Sequence, residues 1–293
     1  MPQLRALVVC ALLLVTASAL TSAPTSAQAA STQAGSTQAG SARDHRIQVI
    51  QHNTDMNGPV PAMQAAADWG NVDAITFQEL CKKQVVELTN AGYHVHWSQQ
   101  RDRGKHGCRK GNAIASTHAF GKTRTYSLIT RGTGEAKRKF KLLCADLRGT
   151  GVARTTVCTS HFPLDYNGDA APTGEQNRVK VANRIRSILG KKISAGRRVV
   201  LTGDFNDSPK SRPLDRFYKV NGQGRFWEGD QKCGKSACRD MAATTDSGRK
   251  LDYFFASSPG VNKLKGVSKL PVPAYDPAGH YVIRGSVTFG RLG

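Results

Sequence analysis

Again and again in this chain, an apolar run too short for a helix breaks off at one polar side chain. Residues 197–209, RRVVLTGDFNDSP, show the pattern most plainly. Val199, Val200 and Leu201 carry a strand into Gly203-Asp204-Phe205-Asn206. Positions i and i+2 of a strand share a face, so Asp204 and Asn206 are expected to converge on one ligand. A carboxylate can hold a hard cation or accept a proton, and a carboxamide beside it can donate to a phosphate oxygen. The same residues could equally form an ordinary Asp-Asn turn, so the rest of the chain must decide.

Strand-like runs with period-2 character or continuous burial occur at residues 47–52, 73–78, 93–97, 111–116, 120–129, 139–147, 155–161, 197–203, 251–256 and 281–289. Helical patterns fall at 59–69, with Pro59 near its start, at 83–90, stopped by Gly92, and at 175–189. In the last of these, Val179, Ala182, Ile185, Ile188 and Leu189 form the apolar stripe, with Arg178, Lys180, Arg184 and Arg186 mostly off it. Strands outnumber helices, yet helices recur between strand pairs. That combination predicts an α/β fold of two packed sheets with helices on the outer faces. The polar residues at strand ends, Asn53, Glu79, His161, Asp204, Asn206 and Asp252, are where such folds carry chemistry.

The first residues read as targeting rather than fold. Arg5 precedes an apolar run from Ala6 to Leu20, and Ala27-Gln28-Ala29 fits a small-residue cleavage site, so residues 1–29 are expected to be a secretory signal peptide. The run is short for a bilayer span, and no basic stop-transfer segment follows. Cys10 lacks the small residues a lipoprotein signal places before it. Residues 30–44 contain the duplicated unit STQAGSTQAGS, which has no large apolar side chain and reads as a flexible linker. Residues 45–293 then form one domain with no membrane-spanning segment, expected to be a secreted, extracellular monomer. The formal net charge is +21 and the pI near 10. So one-sided an excess points to a polyanionic partner: nucleic acid, anionic lipid or wall polymer.

Setting Cys10 aside leaves Cys81, Cys108, Cys144, Cys158, Cys233 and Cys238, an even set in an oxidising compartment. Six cysteines allow about 15 connectivities. Cys144 and Cys158 are symmetric about Gly151, so a hairpin there would set the two thiols opposite each other. Cys233 and Cys238 enclose a short loop, which leaves Cys81 with Cys108. A zinc site is the rival, but C-x-x-C spacing is missing from the sequence.

The ordered series HNTD, FQEL, GNAIAS, SHF, GDFN, LDYFF and GHYVIRG resembles the endonuclease/exonuclease/phosphatase superfamily, the deoxyribonuclease I-like fold. The resemblance runs through nearly the whole domain in the family's order. It implies a four-layered α/β/β/α sandwich, two mostly antiparallel sheets with helices outside, hydrolysing phosphate esters with a divalent metal: Mg²⁺, or Mn²⁺ or Ca²⁺. By position, Asn53, Asp55 and Glu79 match residues that frame the metal. His161 matches a histidine that binds or polarises phosphate. Asp204 matches the carboxylate that orients or deprotonates the attacking water, and Asn206 its phosphate-binding partner. Asp252 and His280 match a carboxylate–histidine pair. The chemistry suits the task, since phosphodiester hydrolysis needs a nucleophilic water, neutralised oxygens and help for the leaving group.

Here the sequence departs from the family pattern once. An acidic residue usually precedes the last histidine, whereas this chain has Gly279 before His280. Asp276 could substitute, Glu79 and Asp55 could suffice, or metal binding could be weakened. For substrate, Arg101, Arg103, Lys105, Arg109 and Lys110, with Asn112, Lys137 and Arg138, are expected to line a phosphate-tracking groove. The basic stretch at 191–198 reads as a solvated face. Three functions follow: a secreted metal-dependent nuclease on DNA or RNA, a lipid-headgroup phosphodiesterase of sphingomyelinase type, or a weakened polyanion-binding relative. The second calls for exposed apolar loops, and Phe226-Trp227 is the best candidate.

Overall fold

The computed structural model describes residues 45–101, 107–132, 137–149, 154–164, 174–229, 238–239, 242–270 and 279–290. The strands are β1 (His45–Asn53), β2 (Ala74–Cys81), β3 (His94–Arg101), β4 (Lys110–Ser116), β5 (Phe120–Arg131), β6 (Arg138–Leu147), β7 (Thr155–His161), β8 (Arg198–Asp204), β9 (Phe226–Glu228), β10 (Asp252–Ser257), β11 (Val261–Leu270) and β12 (Val282–Phe289). The helices are α1 (Val60–Trp69), α2 (Lys82–Asn90) and α3 (Gly174–Ser194).

Hydrogen bonding runs along one path, β11-β12-β1-β2-β4-β3-β6-β7-β8-β10-β9, with β5 paired to β6. Pairing is antiparallel except for β1–β2 and β7–β8. Between β3 and β6 the ladder is a single residue pair, Arg101 opposite Arg138. That thin seam divides the sheet into halves that curl onto each other. Ile47, Val49 and Ile114 of one half pack with Leu143, Val157, Val200 and Phe254 of the other. α1 and α2 cover the outer face of the first half, where Ile50, Phe77, Ala62 and Leu88 meet. α3 covers the second through Val181, Ile185 and Leu189. Three apolar clusters therefore separate four layers, the expected α/β/β/α sandwich.

The expected core of α3 is corrected at its first turn. Val181, not Val179, lies in the core, and Arg178 is buried at 6% exposure. Its guanidinium is held by Asp207 at 2.8 Å and donates to the Pro163 carbonyl, so a charged residue takes a core-facing place by being fully paired. Two strands were not legible in the sequence. β9 is three residues long, and β11 is a lysine-rich edge strand with register shifts. Phe226 is no membrane-facing residue either: it is 2% exposed and packs edge-on against Phe217 and Phe255.

Cys144 and Cys158 face each other in the β6–β7 ladder and are bonded, and Cys81 is bonded to Cys108. Cys238 is disulfide-bonded, and Cys233 lies outside the described residues. The Cys81–Cys108 bridge closes 27 residues of sequence. Replacing both cysteines with alanine is expected to cost about 3–4 kcal/mol in urea unfolding. An unchanged midpoint would show that the bridge does not constrain the fold.

Candidate active site

The sheet brings carboxylates to neighbouring strand ends. Asp204 ends β8 and is paired in register with His161 of β7 on one side and Asp252 of β10 on the other. Gly203 makes the close packing possible. A Cβ there would sit 2.0 Å from the Ser160 carbonyl oxygen, and its φ of 145° suits glycine. Phe205 then turns inward, stacked on Phe162 with ring centroids 4.5 Å apart, and anchors the strand end. Asp204 Oδ2 accepts from Asn53 Nδ2 at 2.9 Å and lies 3.5 Å from His161 Nε2 and 3.9 Å from His280 Nε2. Burial pushes its pKa up, and the Asp252 charge adds to that, while the histidines oppose it.

Asn206 departs from the expected strand geometry. It lies beyond β8 with φ 50°. Its backbone N–H donates to Asp204 Oδ1 at 2.8 Å, and its side-chain Nδ2 donates to the Phe162 carbonyl at 2.9 Å. Asn206 thus fixes the Asp204 carboxylate and ties the β7 and β8 ends together. One of its amide hydrogens is committed to this framework.

Glu79 reaches the site through a bulge. The β2–β4 register shifts between Phe77 and Leu80, and Glu79 takes φ 57°. A bulge re-aims a side chain, and a positive φ at a non-glycine residue is strain held by its surroundings. Glu79 does not cap α2: that task falls to Gln84, whose Oε1 accepts from the Cys81 N–H at 2.8 Å. One Glu79 oxygen is paired with Lys110 Nζ, and the other lies 3.7 Å from His161 Nδ1. Burial alone would raise its pKa, but His161 and Lys110 outweigh this and hold it at about 2.

His280 forms an isolated bridge with Thr245 just before β12. Its Nδ1 is 2.8 Å from Asp252 Oδ2, and its Nε2 is 3.5 Å from Asn53 Nδ2. Burial works against its charge, yet Asp252 wins and raises its pKa to about 10. The charged form, which the Asp252 carboxylate favours, donates Nδ1–H to Asp252 and leaves Nε2 facing the site.

Asp252 is itself held by residues the sequence did not single out. Gln51 Nε2 donates to its Oδ1 at 3.0 Å, and Thr244 Oγ1 donates to its Oδ2 at 2.9 Å. Gln51 also donates to Gln78, and Gln78 to Thr159, so a polar network crosses between the sheet halves beneath the site. The signal was present in the glutamines at inward positions of IQHN and TFQEL, read there only as flanks.

The expected substrate residues separate. Arg101, Lys110 and Arg138 line one recess with Glu79 and His161. Arg109 lines a neighbouring recess with Lys82 and Lys83, and Lys137 is exposed. Asn112 is 1% exposed, so it underlies the surface. Arg103, Lys105 and Asp276 lie outside the described residues. Gly279 has φ 66°, and a Cβ there would lie 3.1 Å from an Asp246 carboxylate oxygen. A carboxylate beside residue 279 therefore comes from Asp246, across the turn.

Two donor sets suit a divalent ion. Asp204, Asp252 and His280 offer ligand atoms all within 4.8 Å of one another, a set that is open to a cation only when the His280 imidazole is neutral. The Asp55 side chain lies close enough to Glu79 to help hold its pKa down, and two carboxyl groups so close need a proton or a cation between them. The Asp55 N–H donates to Asn53 Oδ1 at 3.2 Å, which brings Asn53, Asp55 and Glu79 to one corner. Oxygen-rich and partly open, that corner fits a hard cation.

Comparison with known proteins agrees with the fold. No curated protein matches the chain by sequence. Among solved structures, the human Nocturnin catalytic domain with bound sulfate anion is similar at TM-score 0.65 and 14% identity, covering 84% of this chain and 94% of that one. An endonuclease/exonuclease/phosphatase family protein from Bacteroides thetaiotaomicron is similar at TM-score 0.58 and 16% identity, covering 83% and 95%. Truncated TDP2 from Caenorhabditis elegans is similar at TM-score 0.57 and 14% identity, covering 83% and 97%. A model of the Endonuclease/Exonuclease/phosphatase family matches residues 48–286, most of the chain, and the chain belongs to that family.

Proposed function

We propose that this protein is a secreted, metal-dependent nuclease that hydrolyses phosphodiester bonds of DNA or RNA by direct attack of water. The observation that carries the reading is the convergence of Asp204, Asn53, His161 and the Asp252–His280 pair on one strand-end surface. Asp204, with its pKa raised by burial, is a better proton acceptor than an exposed aspartate. It takes a proton from the attacking water at Oδ2 as the water oxygen bonds to phosphorus and the P–O bond to the leaving sugar oxygen breaks, that oxygen taking its proton from solvent. The Nε2–H of His280 donates to a phosphate oxygen, with its charge maintained by Asp252. Asn53 aligns Asp204 through its amide, and His161 presents an imidazole between Asp204 and Glu79.

Asn53, Asp55 and Glu79 would hold a divalent ion, Mg²⁺ in the first instance, which when bound would neutralise charge on the phosphate oxygens. Its net charge of +21 suits a polyanionic substrate. Its disulfides suit an oxidising compartment, and among the described residues no helix is long and apolar enough to cross a membrane. Of the Phe226-Trp227 pair that a lipid reading would use, Phe226 is buried and Trp227 half-buried.

The test compares three substrates with Mg²⁺ and with EDTA: plasmid DNA, single-stranded RNA and sphingomyelin vesicles. Metal-dependent cleavage of a nucleic acid is expected. Cleavage of sphingomyelin alone would replace the nuclease reading with a lipid one, and salt-sensitive DNA binding without hydrolysis would replace it with a binding protein. In a parallel titration, Glu79→Gln is expected to weaken Mg²⁺ binding about tenfold or more, read by calorimetry. An unchanged affinity would remove Glu79 from the metal corner.

A further inference from the structure

A line of cations crosses the sheet beside the site. Lys110 of β4 is paired in register with Arg101 of β3, Arg101 with Arg138 of β6, and Arg138 with Arg131 of β5. Directly opposed residues project to the same face, and like charges so placed repel. Three strand spacings carry the row about 14 Å across the surface. Its inner end is the active site itself, since Lys110 pairs with Glu79, and Arg101 and Arg138 line the same recess as Glu79 and His161. The Arg101 Nε is buried without a protein hydrogen-bond partner. The row also lies on the seam between the two sheet halves, where one residue pair joins β3 to β6.

We infer that Lys110, Arg101, Arg138 and Arg131 form a track for the phosphate backbone of a nucleic-acid strand, leading away from the reacting phosphate across β4, β3, β6 and β5. The inference rests on the reading of the site as a phosphodiesterase. A single phosphate seated at the active site reaches only the inner end of the row. Arg131 is three strands away, and a chain with repeating charges engages it together with Lys110, as one isolated headgroup does not. The track therefore selects a polymer over a lipid headgroup, which carries one phosphodiester. Guanidinium groups dominate the row, and their planar donor forks match phosphate oxygens. Contacts of this kind position the backbone and carry no base sequence.

Binding of a fluorescently labelled, short single-stranded oligonucleotide, followed by anisotropy in EDTA across a salt series, tests the track without turnover. Each backbone contact contributes about 0.7 to the log–log salt slope for single strands. The double variant Arg101→Gln/Arg131→Gln is expected to lose about 1.4 from that slope and about tenfold in low-salt affinity. Lysine at both positions retains the slope, which separates loss of charge from loss of fold. Arg184→Gln, on the exposed face of α3, removes a charge outside the row and leaves the slope unchanged. An unchanged slope in the glutamine double variant, or an equal loss per charge in Arg184→Gln, would overturn the track. Strong, slope-sensitive binding by a chain that hydrolyses nothing would overturn the phosphodiesterase reading and leave the track standing.

Discussion

Replacing Asp204 with asparagine is expected to lower phosphodiester hydrolysis by about a thousandfold or more, with the fold intact. The side chain is buried, and its neighbours act on it from every side: Asn53 Nδ2, His161, His280 and the Asn206 N–H. Asparagine keeps the shape and one acceptor oxygen but cannot take a proton from water. A thousandfold loss corresponds to about 4 kcal/mol of transition-state stabilisation. Opposing terms keep the change in stability smaller. Burial and Asp252 disfavour the Asp204 charge, so removing it relieves a cost, while the amide forfeits charge-assisted hydrogen bonds. Their sum stays within about 2 kcal/mol. Kinetics and urea unfolding on the same preparation separate the two effects. A loss of rate that only tracks a loss of folded protein would assign Asp204 a structural role.

The Asp252–His280 pair gives the second large effect. Asp252→Asn removes the carboxylate that keeps His280 charged, and a hundredfold to ten-thousandfold drop in kcat is expected, about the range for a displaced acid–base group. The pair also leaves a mark on stability in metal-free protein. His280 rises from an ordinary 6.5 to about 10 in the fold. For a group raised on folding, the stabilisation is fully present below pH 6.5 and is lost as pH rises through about 10. At about 1.4 kcal/mol per pH unit, the loss across that window is on the order of several kcal/mol. Glu79 runs the other way. Its pKa falls from 4.5 to about 2, so its contribution is present above pH 4.5 and is lost as pH falls through 2. Urea unfolding in EDTA between pH 6.5 and 10.5 is expected to show a slope on the alkaline side that Asp252→Asn flattens. Parallel slopes in the two proteins would show that His280 is not held charged by Asp252.

Much of the fold could be read in advance because its strands are apolar, β-branched and end abruptly. β8 and β7 fall within a residue of the expected bounds, and the Cys144–Cys158 register followed from hairpin symmetry. β11 was missed for the opposite reason. An edge strand rich in lysine lacks the buried alternation that marks a central one. Arg178 was misplaced because its partner, Asp207, lies in a loop after β8 that periodicity cannot see. At the site, the strand-end residues were visible in sequence order, but their juxtaposition was not. Glu79 depends on a bulge, and Asn206 on a positive φ that turns its amide toward Phe162. Gln51, Gln78 and Thr244 act from below, and ordinary polar residues within strands and loops carry no local signature. The cationic row required register, which joins residues distant in sequence into one line.

Cleavage of a fluorophore–quencher oligonucleotide by wild type and Asp204→Asn, each with Mg²⁺ and with EDTA, tests the central claim most directly. Robust hydrolysis by wild type in Mg²⁺ alone, with near-complete loss in a variant that unfolding shows to be fully folded under the assay conditions, is the expected result. Equal rates in the two proteins, or rates indifferent to EDTA, would contradict a metal-assisted hydrolytic site built on Asp204.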